Sequence, residues 1–202
     1  MKLLLAFLFL GFATFAQEAK RVVILGDSLT AGFGIDPEDA YPALLQKKVE
    51  EAKLPFTIVN AGLSGDTTAG GLRRIDWILK QPVDVLVIEL GGNDGLRGIP
   101  ITETRTNLQG IIDRAKRKYP HAQVIMAGMK MPANMGDYAV EFEKTFPQIA
   151  TKNNALLIPF LLKKVGGRPE LNQPDRIHPT AEGHRIVAEN IWRKLGPMLE
   201  VQ

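Results

Sequence analysis

The chain predicts an α/β fold, a three-layer α/β/α sandwich built on a central parallel five-stranded sheet. Three observations predict it: five short apolar runs rich in branched residues, amphipathic stretches between them, and a polar, glycine-rich segment directly after each of the first three runs. Strands covered on both faces read as continuous apolar runs, and alternation of such runs with helical stretches implies right-handed crossovers between parallel neighbours.

The first strand is expected at 22–25 and runs into Gly26-Asp27-Ser28-Leu29. A helix follows at 42–52, opened by a proline that suits a first helical turn. The second strand, 56–59, runs into Asn60-Ala61-Gly62-Leu63-Ser64-Gly65-Asp66 and is followed by a helix at 69–80. The third strand, 83–90, ends at Gly91-Gly92-Asn93-Asp94, and a helix follows at 106–118. Strands at 124–127 and 156–158 bracket a helix at 138–152, and a last helix is expected at 179–195. In such a sheet the loops at the carboxyl ends of the strands gather into the site, and the three polar loops all fall there.

The first sixteen residues have a different character. Lys2 is a positive n-region, residues 3–10 form an apolar h-region, and Thr14-Phe15-Ala16 supplies small residues where a signal peptidase needs them. Residues 1–16 are therefore expected to be a signal peptide, and 17–202 one domain, exported to the periplasm or the medium. An uncleaved anchor is the alternative, but the apolar stretch falls short of the ~20 residues that span a bilayer.

Composition narrows the function. With 202 residues, 45% of them hydrophobic and 23% charged, the chain suits one globular core. A formal charge of only +3, dispersed along the chain, gives little support to nucleic-acid binding. There is no cysteine, which excludes a disulfide framework, a thiolate nucleophile and a cysteine zinc site. His121, His178 and His184 have no metal-ligand spacing, so no metal or other cofactor is expected. The glycines at 26, 32 and 34 match neither dinucleotide nor phosphate-loop spacing, which weakens a non-catalytic ligand-binding module.

What remains is nucleophilic catalysis. A serine hydroxyl is a weak nucleophile at its own pKa and needs an imidazole to take its proton and a carboxylate to orient that imidazole. Ser28 lies in the first polar loop, and Asp175-Arg176-Ile177-His178-Pro179 supplies the other two groups. Pro179 fits the first position of a helix, which would put His178 at the helix start, where the dipole favours a neutral ring. The Ser28 and Gly62 N–H groups and the Asn93 amide are the candidate donors for an oxyanion. Asp27, Asp66 and Asp94 are expected to brace these loops by bonding backbone amides, and Glu89, inside an apolar strand, to be paired or protonated.

Taken in order, the Gly-Asp-Ser-Leu block, the Gly62 block, the Gly-Gly-Asn-Asp block and the Asp-x-x-His-Pro ending resemble the SGNH (GDSL) hydrolases. The stretches Glu89 to Gly98, Pro132-Ala133-Asn134 and Ile158-Pro159-Phe160 are similar to the exported bacterial thioesterase I, lysophospholipase and arylesterase group. The resemblance implies a flavodoxin-like fold and metal-free ester or thioester hydrolysis through an acyl-enzyme. It makes Ser28 the nucleophile, Asp175 and His178 the rest of the triad, and Ser28, Gly62 and Asn93 the oxyanion donors. Arg176 departs from the glycine often found between that Asp and His. The expected substrate is an acyl ester, thioester or lysophospholipid, with a carbohydrate acetylesterase as the alternative on the same scaffold. Met129, Met131 and Met135 are candidates to line an acyl groove, Met126 belongs to the core, and a monomer without a stable membrane span is expected.

Overall fold

The computed structural model describes residues 19–201, so the expected signal peptide lies outside the described residues. Five parallel strands form the sheet: β1 (Lys20–Gly26), β2 (Phe56–Gly62), β3 (Val85–Glu89), β4 (Gln123–Ala127) and β5 (Leu156–Ile158). Their order, β2-β1-β3-β4-β5, places the reversal of winding at β1 and β3. In an open sheet of this type the ligand crevice lies outside the carboxyl ends of the strands at that switch point. Gly26 pairs with Gly62 on one side and Glu89 on the other, so the three polar loops leave the sheet side by side.

The helices are α1 (Ser28–Ala31), α2 (Tyr41–Glu51), α3 (Thr68–Ile78), α4 (Gly92–Leu96), α5 (Ile101–Lys118), α6 (Asp137–Asn153) and α7 (Ala181–Glu200). Packing of α2 on α7 and of α3 on α5, with α6 beside α5, makes two helical layers. Right-handed crossovers in this strand order put α2 on one face and α3, α5 and α6 on the other. Val22 to Leu25 in β1 and all of β3 are buried on both faces, which is why these strands read as unbroken apolar runs.

Several boundaries differ from the expectation, each for a local reason. The helix expected at 179–195 begins at Ala181, because Thr180 caps it by accepting from the Gly183 N–H at 3.3 Å. Pro179 instead forms an isolated antiparallel bridge with Asn172, flanked by Gln173 N–H to His178 O at 2.7 Å and Thr180 N–H to Leu171 O at 2.9 Å. His178 therefore stands two residues outside the cap, not at the helix start, and gains nothing from being part of the helix. At the other end α7 runs through Pro197, whose missing N–H frees the carbonyl of exposed Arg193, open to water. Helices α1 and α4, four and five residues long, carry no periodicity from which they could be expected.

Candidate active site

Strand β1 delivers the nucleophile candidate. After Gly26 the chain turns at Asp27, whose side chain accepts from the Leu29 N–H at 3.0 Å and so caps α1. Ser28 is the first residue of that helix, and its N–H is among those a helix leaves without an internal acceptor. Its hydroxyl lies 2.9 Å from His178 Nε2, 150 residues away in sequence. His178 Nδ1 lies 2.7 Å from Asp175 Oδ2, completing a hydroxyl, imidazole and carboxylate in line.

The Asp175 loop is built to hold that line. Oδ1 of Asp175 accepts from the N–H groups of Ile177 at 2.9 Å and His178 at 3.0 Å, while Oδ2 takes the ring. The His178 N–H and ring, then the Ile177 N–H, hold the Asp175 carboxyl down at about 2. The other side of the imidazole is set by Phe33, whose ring centroid lies 4.6 Å from that of His178. Gln173 Nε2 donates to Phe33 O at 2.7 Å and to Pro179 O at 3.0 Å, tying the loop after α1 to the loop carrying His178. Neither Phe33 nor Gln173 was singled out from the sequence, since an exposed Phe and a loop Gln carry no signal of their own.

Asn93 and Gly62, the other oxyanion candidates, are both close to this centre but engaged elsewhere. Asn93 enters the same cavity as Ser28 and His178 from the first turn of α4. Its amide donates to Asp27 Oδ2 at 3.1 Å and to the Asp66 carbonyl at 2.9 Å. The Gly62 N–H donates to Asn60 Oδ1 at 2.9 Å, and Gly62 lines a neighbouring cleft with Arg74 and Trp77 rather than the Ser28 cavity. These internal acceptors occupy the donors that an oxyanion at Ser28 would need. Glycine is required at 62 because a Cβ there would run into the backbone of Thr30 and Ala31.

Behind the three loops lies a buried polar frame. Asp66 is held by Arg74 Nε at 2.7 Å, and the same guanidinium donates to the carbonyls of Ala61 at 2.8 Å and Gly26 at 3.0 Å. Arg74 thus ties the ends of β1 and β2 to the loop before α3. Its sequence context carries no signal that sets it apart from other helix cations. Asp94 accepts from the Thr68 N–H at 2.9 Å and from the Thr68 hydroxyl, locking α4 to α3.

Asp27 and Glu89 are a buried pair of acids within that frame. Glu89 is fully buried, and its Oε2 accepts from Thr30 Oγ1 at 2.7 Å and Asp27 N–H at 3.2 Å, whereas among the described residues no donor reaches Oε1. Burial and the Asp27 charge push the Glu89 carboxyl far up, and burial pushes Asp27 up to about 6. Two acids this close in a dry site do not both ionise, and the oxygen that no donor reaches is where the proton sits most easily. Glu89 is therefore the protonated member. A carboxyl raised in the folded state binds its proton while the unfolded chain has lost it, so its stabilisation is complete below pH 4 and lost as pH rises. Glu89→Gln, neutral at every pH, is expected to gain melting temperature relative to the wild type between pH 4 and pH 7. A difference that stays constant across that range would show that Glu89 does not hold the proton.

His184 takes no part in this centre. It is buried against Tyr41, accepts from the Tyr41 N–H at 3.2 Å, and burial pulls it down to about 4, leaving it neutral. Among the described residues no three His, Asp or Glu side chains are grouped to hold a metal ion.

The Ser28 and His178 side chains face a cavity of about 480 Å³. Its walls are mainly apolar and include Met129, Met131, Phe160, Leu162 and Ile177, with Lys130 and Arg176 as its cations. Met129 and Met131 thus take the place expected of them, Met135 does not line the cavity, and Met126 is in the core. A larger cleft of about 640 Å³, lined by Lys116, Leu156 and Arg193 among others, holds none of these reactive groups. Volume alone does not mark the site; the convergence of serine, imidazole and carboxylate on apolar walls does.

The chain is similar to known proteins over most of its length. The model of the GDSL-like Lipase/Acylhydrolase family matches residues 24–186. The chain is 37% identical over 183 residues to "Esterase TesA" of Pseudomonas aeruginosa, covering 90% of each protein. It is 38% identical over 199 residues to "Thioesterase 1/protease 1/lysophospholipase L1" of Escherichia coli strain K12, covering 96% of this chain and 93% of the relative. The crystal structure of TesA superposes with a TM-score of 0.84 at 36% identity, covering 88% of this chain and 99% of that one.

Proposed function

The chain belongs to the GDSL-like lipase/acylhydrolase family, and on that premise we propose that it hydrolyses acyl esters and thioesters, lysophospholipids among them, with Ser28 as nucleophile. The observation that carries the proposal is the continuous contact from Ser28 Oγ to His178 Nε2 at 2.9 Å and from His178 Nδ1 to Asp175 at 2.7 Å, at the wall of an apolar cavity. His178 takes the serine proton as Oγ attacks the acyl carbon, and Asp175 stabilises the imidazolium. The imidazolium then protonates the leaving alcohol or thiol, and the neutral ring activates water to release the acid. All three groups come from one chain, which suits a monomer. The positive n-region and apolar h-region of residues 1–16 support export, and N-terminal sequencing of the extracytoplasmic form is expected to start at Gln17.

The test is hydrolysis of esters and thioesters from acetyl to palmitoyl, with Ser28→Ala as the blank. Serine-dependent turnover reaching medium or long chains is expected, because the cavity wall is apolar well beyond what an acetyl group touches. Turnover confined to acetate would replace this reading with a deacetylase. Met129→Gln combined with Met131→Gln is expected to lower kcat/KM for octanoyl relative to acetyl esters by about tenfold. An unchanged ratio would show that the acyl chain runs elsewhere.

A further inference from the structure

Arg176 occupies a backbone position that favours glycine, with φ at 61° in the left-handed region. The triad needs that conformation: it turns the chain so that the N–H groups of Ile177 and His178 both reach Asp175 Oδ1. A residue with a Cβ is sterically disfavoured there, so the turn by itself gives no reason for an arginine. The reason lies in the side chain. Arg176 lines the Ser28 cavity, and among the described residues its guanidinium has no acid or carbonyl partner. The other cation of the wall, Lys130, is already neutralised by Glu143 at 2.5 Å, and Asp175 is taken up by the imidazole and two amides. Among the described residues the one carboxylate that lines the cavity, Asp27, is buried beneath it. An unpaired, permanently charged, forked cation beside a reactive serine is a receptor for an oxyanion of phosphate type.

Resting on the esterase reading above, we propose that Arg176 binds a phosphate group carried by the alcohol half of the substrate and sets a preference for phosphorylated over neutral leaving groups. The methionine and aromatic wall suits the acyl chain. The alcohol leaves past His178 Nε2, which must protonate it, and Arg176 stands two residues from that ring on the same loop. The reaction is unchanged by the assignment: the ester bond breaks, water supplies its hydroxyl to the acid, and the alcohol departs with its phosphate intact.

The experiment compares two esters with the same acyl chain and scissile bond, monooctanoylglycerol and monooctanoylglycerol phosphate, below their aggregation limits. The readout is the ratio of their kcat/KM values, which cancels whatever a variant does to the shared chemistry. The ratio is expected to fall about tenfold in Arg176→Gln, a loss of the size expected for one charge-assisted contact at a partly exposed site. Arg176→Lys is expected to keep most of it. Arg176→Gly, which suits the backbone, is expected to lose it as Gln does, so misfolding is not the cause. A second pair, glycerol esters of octanoate and of octanoate with a terminal carboxylate, is expected to show no Arg176 dependence. An unchanged phosphate ratio, or an effect seen with the acyl pair instead, overturns the assignment while leaving the esterase intact. Absence of serine-dependent turnover of the neutral ester by the wild type sinks the esterase reading, and this one with it.

Discussion

Ser28→Ala is expected to lower kcat by about a million-fold, and His178→Ala, alone or combined with it, by no more than that, because nucleophile and base act as one unit. The structural ground is that among the described residues the serine hydroxyl has one hydrogen-bond partner, the imidazole nitrogen at 2.9 Å. Without the base the hydroxyl stays protonated and weak; without the hydroxyl the base has nothing to activate but water. Removing both therefore adds little to removing either. The same single contact means that Ser28→Ala breaks nothing else, so its melting temperature should match the wild type. The measurement is single-turnover kinetics on a medium-chain thioester for the two single variants and the double variant. A double variant slower than either single by a further large factor would mean that the groups act independently, and the proposed roles would fail.

Much of this centre was legible because its chemistry is local. Ser28 and the Asp175 to His178 segment each sit in a short stretch whose residue types declare a purpose, and the βα alternation fixes which sheet edge they share. The groups that hold the centre in place were less legible for the opposite reason. Arg74 ties two strand ends to one loop, but its partners, Gly26, Ala61 and Asp66, lie up to 48 residues away, and nothing in its own helix distinguishes it from an exposed cation. Phe33 meets His178 where Gln173 bridges their two loops, a contact made by tertiary packing. Glu89 was readable as an acid in an apolar strand, but its proton-sharing neighbour becomes evident only when Asp27 folds over it.

The helix start at His178 shows a different limit. Proline is accepted both at a first helical position and in a strand whose N–H is not needed, so Pro179 fits either reading. Thr180 decides between them, since its hydroxyl can cap only the helix that begins after it. With His178 outside that cap, the helix is no longer the element that sets the ring's state, and the burden of orienting the imidazole falls on Asp175.

That burden makes Asp175→Asn the second large effect, an expected loss of about ten-thousand-fold in kcat with little change in fold. If the new side chain keeps its oxygen on the Ile177 and His178 N–H groups, as Oδ1 does at 2.9 and 3.0 Å, its NH₂ faces His178 Nδ1 and donates to it. Nδ1 must then be the unprotonated nitrogen, and the proton moves to Nε2, where it points at Ser28 instead of accepting from it. The acid limb of the wild-type pH-rate profile should not report Asp175, because its carboxyl is held down at about 2 and is ionised throughout the working range. The stabilising effect of that lowered carboxyl is present above its unfolded pKa near 4 and lost as pH falls towards 2, so the variant and wild type should converge in stability in strong acid. Proton NMR supplies the direct check on the tautomer. The low-field His178 Nδ1–H resonance of the wild type is expected to vanish in Asp175→Asn, and its persistence alongside the lost activity would mean that the carboxylate acts by charge and not by fixing the tautomer.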